Sequence, residues 1–227
     1  GPQAGETVVD GRPGPIRGAR REVPIISPYF VPGQQMMSTF AELRARGVAV
    51  RVLTNSLASN DAPAAHAGYA RYRPALVRMG VELHEMRADP ETAPVGVGGS
   101  GGSGGVLGSG LGGSKGGKSR ASLHSKAVII DRHLSVIGSM NLDLRSKLQN
   151  SEVALLIRSG KLAQQGAALI ESSLSASAYR VLLEDGHLLW QAPPGAPFDD
   201  SRTEPEAGLG LRLLVKVLGP LAPGEML

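Results

Sequence analysis

Strand-like and helix-like segments alternate between residues 22 and 85, and this alternation restricts the fold more than any other feature of the sequence. Three short apolar runs are typical of buried strands: residues 22–27 (EVPIIS), 48–54 (VAVRVLT) and 81–85. Residues 36–43 and 66–79, which lie between these runs, have helical spacing and precede Gly47 and Gly80. This order of strands and helices is typical of parallel strands joined by right-handed crossovers. We therefore predict an α/β fold with a mixed, mostly parallel sheet flanked by helices.

The remaining segments complete one domain. The sequence predicts strands at 123–131, 134–137 and 151–157, a helix at 160–174, a hairpin of 179–183 with 187–190, and a final amphipathic helix at 209–218. Residues 1–20 are rich in Gly, Pro and Arg and predict a flexible arm or linker. Residues 88–122, rich in Gly and Ser, predict a mobile loop. We expect a single domain over residues 21–227, with the hairpin and final helix in 176–227.

Composition limits the chemistry without fixing it. The chain has 227 residues, of which 41% are hydrophobic, and no cysteine, so disulfides, thiolate metal sites and thiol nucleophiles are excluded. A formal charge of +4 and a pI near 9.6 suit an anionic substrate such as a phosphodiester but do not require nucleic acid. The sequence contains no apolar run of the ~20 residues that a membrane span needs.

Two loops follow predicted strands at the edge where a parallel sheet gathers its ligands. The first, at residues 28–32, contains Tyr29 and Phe30, and the second contains Asn55. Tyr29 and Phe30 could be core aromatics as easily as walls of a substrate pocket. His66 is more typical of a helix surface or cap, and we keep it only as a possible pocket neighbour.

The stretch from residue 123 to residue 141 carries the most specific chemical pattern. On a strand, His124 and Lys126 are two residues apart, so their side chains should emerge on the same face. An imidazole can attack phosphorus or protonate a leaving oxygen, while an ammonium group neutralises charge on the non-bridging oxygens. This pair, together with the hydroxyl and amide donors that follow, predicts phosphodiester chemistry.

The pattern resembles the phospholipase D superfamily, whose motif is His-x-Lys, four residues, Asp, then six residues and Gly-Ser-x-Asn. The matching residues are His124, Lys126, Asp131, Gly138, Ser139 and Asn141. The resemblance implies a phospholipase D-like fold, a histidine acting as nucleophile or general acid, and a phosphate pocket lined by Lys126, Ser139 and Asn141. It also implies that Asp131 is mainly structural or orients the histidine.

A downstream carboxylate is a further expectation from the resemblance. Glu152, in the segment Asn-Ser-Glu at 150–152, stands where the family places an acid beside the histidine ring. An acidic partner on one ring nitrogen would fix the tautomer and stabilise imidazolium. A solvated or cross-strand carboxylate remains the alternative for Glu152.

Further segments, at residues 27–33, 53–57, 66–73 and 179–181, are similar to bacterial cardiolipin synthases, in particular to their carboxyl-terminal half. The resemblance implies a bacterial enzyme that transfers or hydrolyses the phosphatidyl group of a phospholipid through a phosphohistidine. It implies no metal and no cofactor. We expect a cytoplasmic or periplasmic protein, with peripheral membrane association possible and nucleic acid a less favoured substrate.

One departure from the family bears on the architecture. Most lipid-active members carry two motifs, whereas the other histidines of this sequence lack a lysine two residues on: His66, His84, His133 and His187. Either two chains dimerise, as in single-motif nucleases, or the amino-terminal half is missing. Gly1 and Pro2 are typical of a cleaved tag, and we expect the second case. The remaining alternative is an inactive half-domain that only binds phosphate or lipid.

A second phosphate-binding pattern is a chance match. Residues 112–119 (GGSKGGKS) satisfy the phosphate-loop consensus, which requires a preceding strand and a following helix. Here a glycine-rich segment precedes the pattern and a predicted strand follows it. We therefore predict no nucleoside triphosphate site, although Lys115, Lys118 and Arg120 could bring positive charge near His124.

Overall fold

The computed structural model describes residues 14–88, 123, 126–138 and 154–221. The described elements are, in chain order, α1 (Gly14–Arg17), β1 (Glu22–Ile26), α2 (Gly33–Ala45), β2 (Ala49–Asn55), α3 (Pro63–Ala70), α4 (Arg73–Arg78), β3 (Glu82–Met86), β4 (Ala127–Ile130), β5 (Leu134–Gly138), β6 (Ala154–Arg158), α5 (Gly160–Ser177), β7 (Ala178–Glu184), β8 (His187–Gln191) and α6 (Leu209–Leu221). The α/β class, the final hairpin and the final helix are thereby confirmed.

The described strands form one eight-stranded mixed sheet in the order β6-β5-β4-β1-β2-β3-β7-β8. The predicted mostly parallel arrangement is wrong. Among these strands, β1 and β2 pair in parallel, as do β2 and β3, and the other five neighbouring pairs are antiparallel. Turns of a few residues join β4 to β5 and β7 to β8, and such short connections reverse the chain because a parallel crossover needs a dozen residues or more.

One of the predicted helices is interrupted in the structure. The predicted second helix is divided into α3 and α4, with Arg71 and Tyr72 between them. Pro74 lies in the first turn of α4, where its missing N–H costs no intrahelical bond, so a new helix begins at this point. Helix α5 begins at Ser159, whose hydroxyl accepts a hydrogen bond from the N–H of Leu162 at 3.3 Å.

Apolar residues cover both faces of the sheet. On one face, Ile25 and Val52 belong to a core cluster with residues of α2 and α4, including Phe40, Leu43 and Leu76. Their neighbours Ile26 and Leu53 point to the other face and form a second cluster with Ile170 and other residues of α5. Helix α5 approaches the sheet closely, since a Cβ at Gly166 would lie 2.7 Å from Cδ1 of Ile129.

The predicted amino-terminal arm is ordered over its last residues. Residues 1–13 lie outside the described part of the chain, but α1 and the turn after it pack on the domain. Ile16 is 9% exposed and Ala19 is fully buried, and both belong to the first core cluster. The ordered domain therefore includes residues 14–20, which the Gly and Pro content had assigned to a linker.

Candidate functional site

One edge of the sheet brings together the chain segments that flank the predicted motif. The pairings make β5 run in the direction of β1, β2 and β3, whereas β4 and β6 run in the opposite direction. The carboxyl ends of β1, β2, β3 and β5 therefore lie at the same edge as the beginnings of β4 and β6. We call this the carboxyl edge.

Lys126 lies at the carboxyl edge, one residue before β4. The following residue, Ala127, is paired with Ile26 of β1 on one side and with Ile137 of β5 on the other. The carbonyl oxygen of Lys126 accepts a hydrogen bond from the N–H of Gly138 at 3.3 Å. This bond joins the two parts of the motif, because Gly138 opens the Gly-Ser-x-Asn sequence. The side chain of Lys126 is partly exposed, as a phosphate-binding ammonium group must be.

Asn55 fixes the chain where it enters the motif. It is the last residue of β2, and its side-chain oxygen accepts a hydrogen bond from the N–H of Leu123 at 2.9 Å. Both residues are buried, with 1% and 3% exposure. Asn55 thus lies at the carboxyl edge as predicted, and it holds the residue that immediately precedes His124.

Asp131 lies at the opposite end of β4. Its carboxylate accepts hydrogen bonds from the backbone N–H groups of Arg20, Arg21 and Glu22, at distances of 2.7 to 3.2 Å. Lys126 and Asp131 are five positions apart along an extended chain, a span of about 16 Å. Asp131 therefore fastens the segment before β1 to the end of β4, and this geometry favours the structural role for it over the orientation of His124.

The electrostatics of Asp131 agree with that role. Partial burial would raise the pKa of its carboxyl group, but the backbone N–H groups of Arg20, Glu22 and Arg21 outweigh this effect and hold the pKa below its usual value. Asp131 has a φ of 50°, in the left-handed region that Asp tolerates better than most residues. The carboxylate is thus kept charged at the turn between β4 and β5.

The two aromatic residues after β1 have different positions. Phe30 is 1% exposed and packs against the rings of Phe40 and Tyr69, with centroids 6.2 and 6.0 Å away. Among the residues that the structure describes, its position corresponds to the core alternative. Tyr29 is partly exposed, and its hydroxyl donates a hydrogen bond to Asp61. Burial and the neighbouring Asp61 raise the pKa of Tyr29 to about 12, so it is a neutral hydroxyl at physiological pH.

His66 belongs to a buried ionic network that the sequence did not predict. It is 1% exposed, and its Nε2 lies next to the guanidinium group of Arg73 and 3.6 Å from Glu204. Arg73, itself 2% exposed, donates to Glu204 at 2.5 Å and forms an ion pair with Glu85 at 2.8 Å. The ring of His66 therefore contacts Arg73 and Glu204 inside the protein.

Aromatic residues complete the network. The hydroxyl of Tyr69 and the indole N–H of Trp190 both donate to Glu85 at 2.8 Å, and the Arg73 guanidinium lies over both rings. Burial alone would lower the pKa of Arg73, but Glu85 and Glu204 raise it above its ordinary value, so its charge is permanent. Glu204 precedes α6, and the network therefore fastens the carboxyl-terminal segment to α3 and α4.

The remaining predicted site residues lie outside the described part of the chain. These are His124, Ser139, Asn141 and Glu152, together with Lys115, Lys118 and Arg120 of the glycine-rich segment. Their roles stay predictions. Among the residues that the structure describes, no group of three or more His, Asp or Glu side chains is arranged to hold a metal ion.

Comparison with known proteins agrees with the motif. Residues 15–174 match the family described as "Cardiolipin synthase, PLD-like domain". The chain is 35% identical over 214 residues to cardiolipin synthase C of Escherichia coli (strain K12), covering 93% of this chain and 42% of that protein. It is 27% identical over 206 residues to cardiolipin synthase A of Pseudomonas putida (strain W619), covering 91% and 33%. The chain thus spans less than half the length of these bacterial relatives.

The fold has solved counterparts as well. Nuc from Salmonella typhimurium, a phospholipase D family member, superimposes with a TM-score of 0.52 at 17% sequence identity, over 74% of this chain and 86% of that one. NucT from Helicobacter pylori gives a TM-score of 0.50 at 16% identity, over 72% and 84%. At such low identity these matches establish the fold alone.

Proposed function

Because the chain belongs to the family of cardiolipin synthase, phospholipase D-like domains, we propose that it carries half of an active site that cleaves or transfers the phosphodiester of a phospholipid. Family membership supports an activity of the phosphodiesterase type in general. The finer proposal, a phosphatidyl transfer, is favoured by the cardiolipin synthases that the chain resembles over most of its length.

The observation that carries the proposal is the position of Lys126. It lies at the carboxyl edge, bonded through its carbonyl group to Gly138, so the two parts of the phosphate-binding motif are neighbours in the fold. An ammonium group fixed at this edge can neutralise the charge that grows on the non-bridging oxygens of a phosphodiester. Asn55 positions the preceding backbone by its bond to Leu123.

In the proposed reaction, an imidazole nitrogen attacks phosphorus and a nitrogen–phosphorus bond forms as the bond to the leaving alcohol oxygen breaks. A second histidine protonates that oxygen. Water or an acceptor alcohol, deprotonated by the second histidine, then attacks phosphorus and releases the first. His124 supplies one of these two imidazoles, and Lys126 stabilises the charge in both steps.

The second imidazole must come from elsewhere, since the sequence has one motif. We propose that it belongs to a further half-domain, because the chain spans 42% of cardiolipin synthase C. A symmetric dimer of this chain is the alternative source. In the first case His124 acts as the acid that protonates the leaving alcohol, and in a dimer either copy takes either role.

The test compares substrates and variants. Wild type, His124→Ala and a matched control, His187→Ala, each joined to the half-domain that supplies the second imidazole, are incubated with phosphatidylglycerol vesicles and separately with plasmid DNA. Turnover by the chain alone would assign the second imidazole to a dimer of this chain. His187 lies at the start of β8 and is exposed, so its removal should leave activity unchanged. We expect lipid turnover in wild type and the control and a loss of at least 100-fold in His124→Ala.

Three results would contradict the proposal. DNA cleavage that His124→Ala abolishes, with phospholipid unchanged, would assign a nuclease instead. Equal lipid turnover in all three proteins would exclude His124 from the chemistry. A protein that contains both half-domains, binds phosphatidylglycerol and does not hydrolyse even an activated phosphodiester would indicate a half-domain that only binds.

A further inference from the structure

We infer that the outward face of α6 is a docking surface for an anionic phospholipid bilayer and that it seats the carboxyl edge of the sheet against the lipid. This inference deepens the proposed function and rests on it, because only a lipid substrate requires the site to meet a membrane. None of the helices that the structure describes is long and apolar enough to cross a bilayer.

The inner face of α6 is already occupied. Val215 is 7% exposed and packs in a small apolar cluster with Leu57, Ala58 and Ala67, and Leu211 and Leu218 are partly buried against the same cluster. The guanidinium group of Arg212 donates to the carbonyl oxygen of Glu204 at 2.8 Å. One side of the helix is therefore fixed to α3 and to the loop after β2.

The outer face of α6 is apolar although it faces solvent. Leu209, Leu213 and Val217 are 76%, 63% and 62% exposed, and Leu214 is 44% exposed. The first three are four residues apart, so they form a continuous stripe along one side of the helix. In a helix whose inner face already supplies the packing, an outer face of this kind is typical of a surface that contacts something apolar.

The charges on α6 fit an anionic surface. Residues 209–221 contain two cationic residues, Arg212 and Lys216, and no acidic one. Lys216 is exposed and, at 100° per residue, lies beside Leu209 and Leu213 on the helical wheel. An apolar stripe bordered by a lysine is the arrangement by which amphipathic helices lie in the headgroup region of a membrane.

The position of α6 connects this surface to the candidate site. Leu57 and Ala58, on which α6 packs, follow the carboxyl end of β2, and Ala88, in contact with the same cluster, follows that of β3. These loops belong to the carboxyl edge, where Lys126 lies. A bilayer bound by α6 would therefore meet the edge at which the phosphodiester must be held.

The size of the stripe favours lipid over a protein partner. A helix of 13 residues is about 20 Å long, so an apolar stripe about 10 Å wide covers roughly 200 Å². A stable protein interface buries about 800 Å² on each partner. The stripe alone is too small for such an interface, whereas an amphipathic helix at a membrane combines its buried apolar area with electrostatic attraction to anionic lipids.

The test is vesicle co-sedimentation of the full chain with phosphatidylglycerol vesicles and with phosphatidylcholine vesicles. We expect binding to phosphatidylglycerol that falls at least 10-fold in the double variant Leu213→Ser/Val217→Ser and at least 3-fold in Lys216→Gln. Leu183→Ser is the matched control, since Leu183 is a partly exposed leucine near the end of β7, at the edge of the sheet opposite to the carboxyl edge. It should bind within 2-fold of wild type.

A second measurement tests the inference even if the double variant does not fold. In Leu213→Trp, indole emission should shift to the blue and be quenched by brominated phosphatidylglycerol. Binding unaffected by the double variant, or reduced equally by Leu183→Ser, would overturn the inference. So would a dimer in sedimentation that the double variant dissociates, because α6 would then be an interface between copies.

Failure of this inference and failure of the proposed function can be told apart. Hydrolysis of a soluble activated phosphodiester depends on the site and not on α6, so it should persist in the double variant and disappear in His124→Ala. Vesicle binding through α6 without any hydrolysis by the protein that contains both half-domains would contradict the proposed function and support the docking surface. Hydrolysis without any vesicle binding would support the proposed function and contradict the docking surface.

Discussion

The two ends of β4 carry residues of the same sequence motif and have different surroundings. At the carboxyl edge, Lys126 lies beside the end of β5 with a partly exposed side chain. About 16 Å away, Asp131 accepts backbone hydrogen bonds from the segment that leads into β1. The difference teaches that one motif can contain both a candidate chemical group and a structural anchor, placed at opposite ends of one strand, so that only the end with Lys126 belongs to the proposed phosphate site.

Removal of the Lys126 ammonium group should have the largest effect. In Lys126→Met, we expect phosphodiester turnover to fall about 100- to 1000-fold, because the charge on the non-bridging oxygens loses its neutralising group. The free energy of unfolding should change by less than about 1 kcal/mol. Single-turnover kinetics and urea unfolding measure the two quantities. Lys161→Met, an exposed lysine of α5, is the control. A Lys126 variant that is fully active, or one that is unfolded, would remove the distinction between the two ends.

Removal of the Asp131 carboxylate should lower the stability of the fold and leave turnover nearly unchanged. In Asp131→Ala, the N–H groups of Arg20, Arg21 and Glu22 lose their acceptor, and we expect the free energy of unfolding to fall by about 2 kcal/mol, since the site is partly exposed. Turnover per folded molecule should stay within about 3-fold of wild type. Denaturant titration and active-site-normalised rates provide the measurement. A 100-fold loss of turnover at unchanged stability would instead indicate that Asp131 orients the histidine.

Lowering the pH should produce the smallest of these effects, a loss of the stability that the Asp131 carboxylate contributes. The folded-state pKa of Asp131 is lower than the unfolded value of about 4, so the unfolded chain binds more protons between the two values and stability rises with pH in that interval. The contribution is complete above about pH 4 and is lost as pH falls through the folded pKa. The stability advantage of wild type over Asp131→Asn, about 1 kcal/mol at pH 7, should therefore shrink below pH 4. An advantage that grows on acidification would mean that the carboxylate is destabilising.

The predictions from sequence were best where a local pattern sufficed. The hairpin of residues 179–183 with 187–190 and the helix at 160–174 follow from local patterns, and the structure has both. The parallel character of the sheet was overestimated because periodicity identifies a strand but not the direction of its partner. The ordered α1 was missed because its short sequence has no apolar period and only Ile16 is buried among its residues.

The buried network around Arg73 likewise could not be predicted from local patterns. Arg73 and Glu204 are 131 residues apart in sequence, and nothing local distinguishes either from a surface charge. An arginine in the first turn of an apolar helix was the one available sign, since such a residue requires a partner when it is buried. No local pattern indicated that His66 is buried. Its burial follows from its contacts with Arg73 and Glu204.

The sequence by itself determined the family, the motif and the order of the elements, because these depend on residue type and spacing along the chain. Only the tertiary structure decided which strands are antiparallel, that Asp131 fastens residues 20–22, and that α6 presents leucines beside the carboxyl edge. The physical reason is that pairing direction, burial and ion pairing are set by contacts between segments far apart in the chain. Local propensity carries no information about which distant segment will supply the partner.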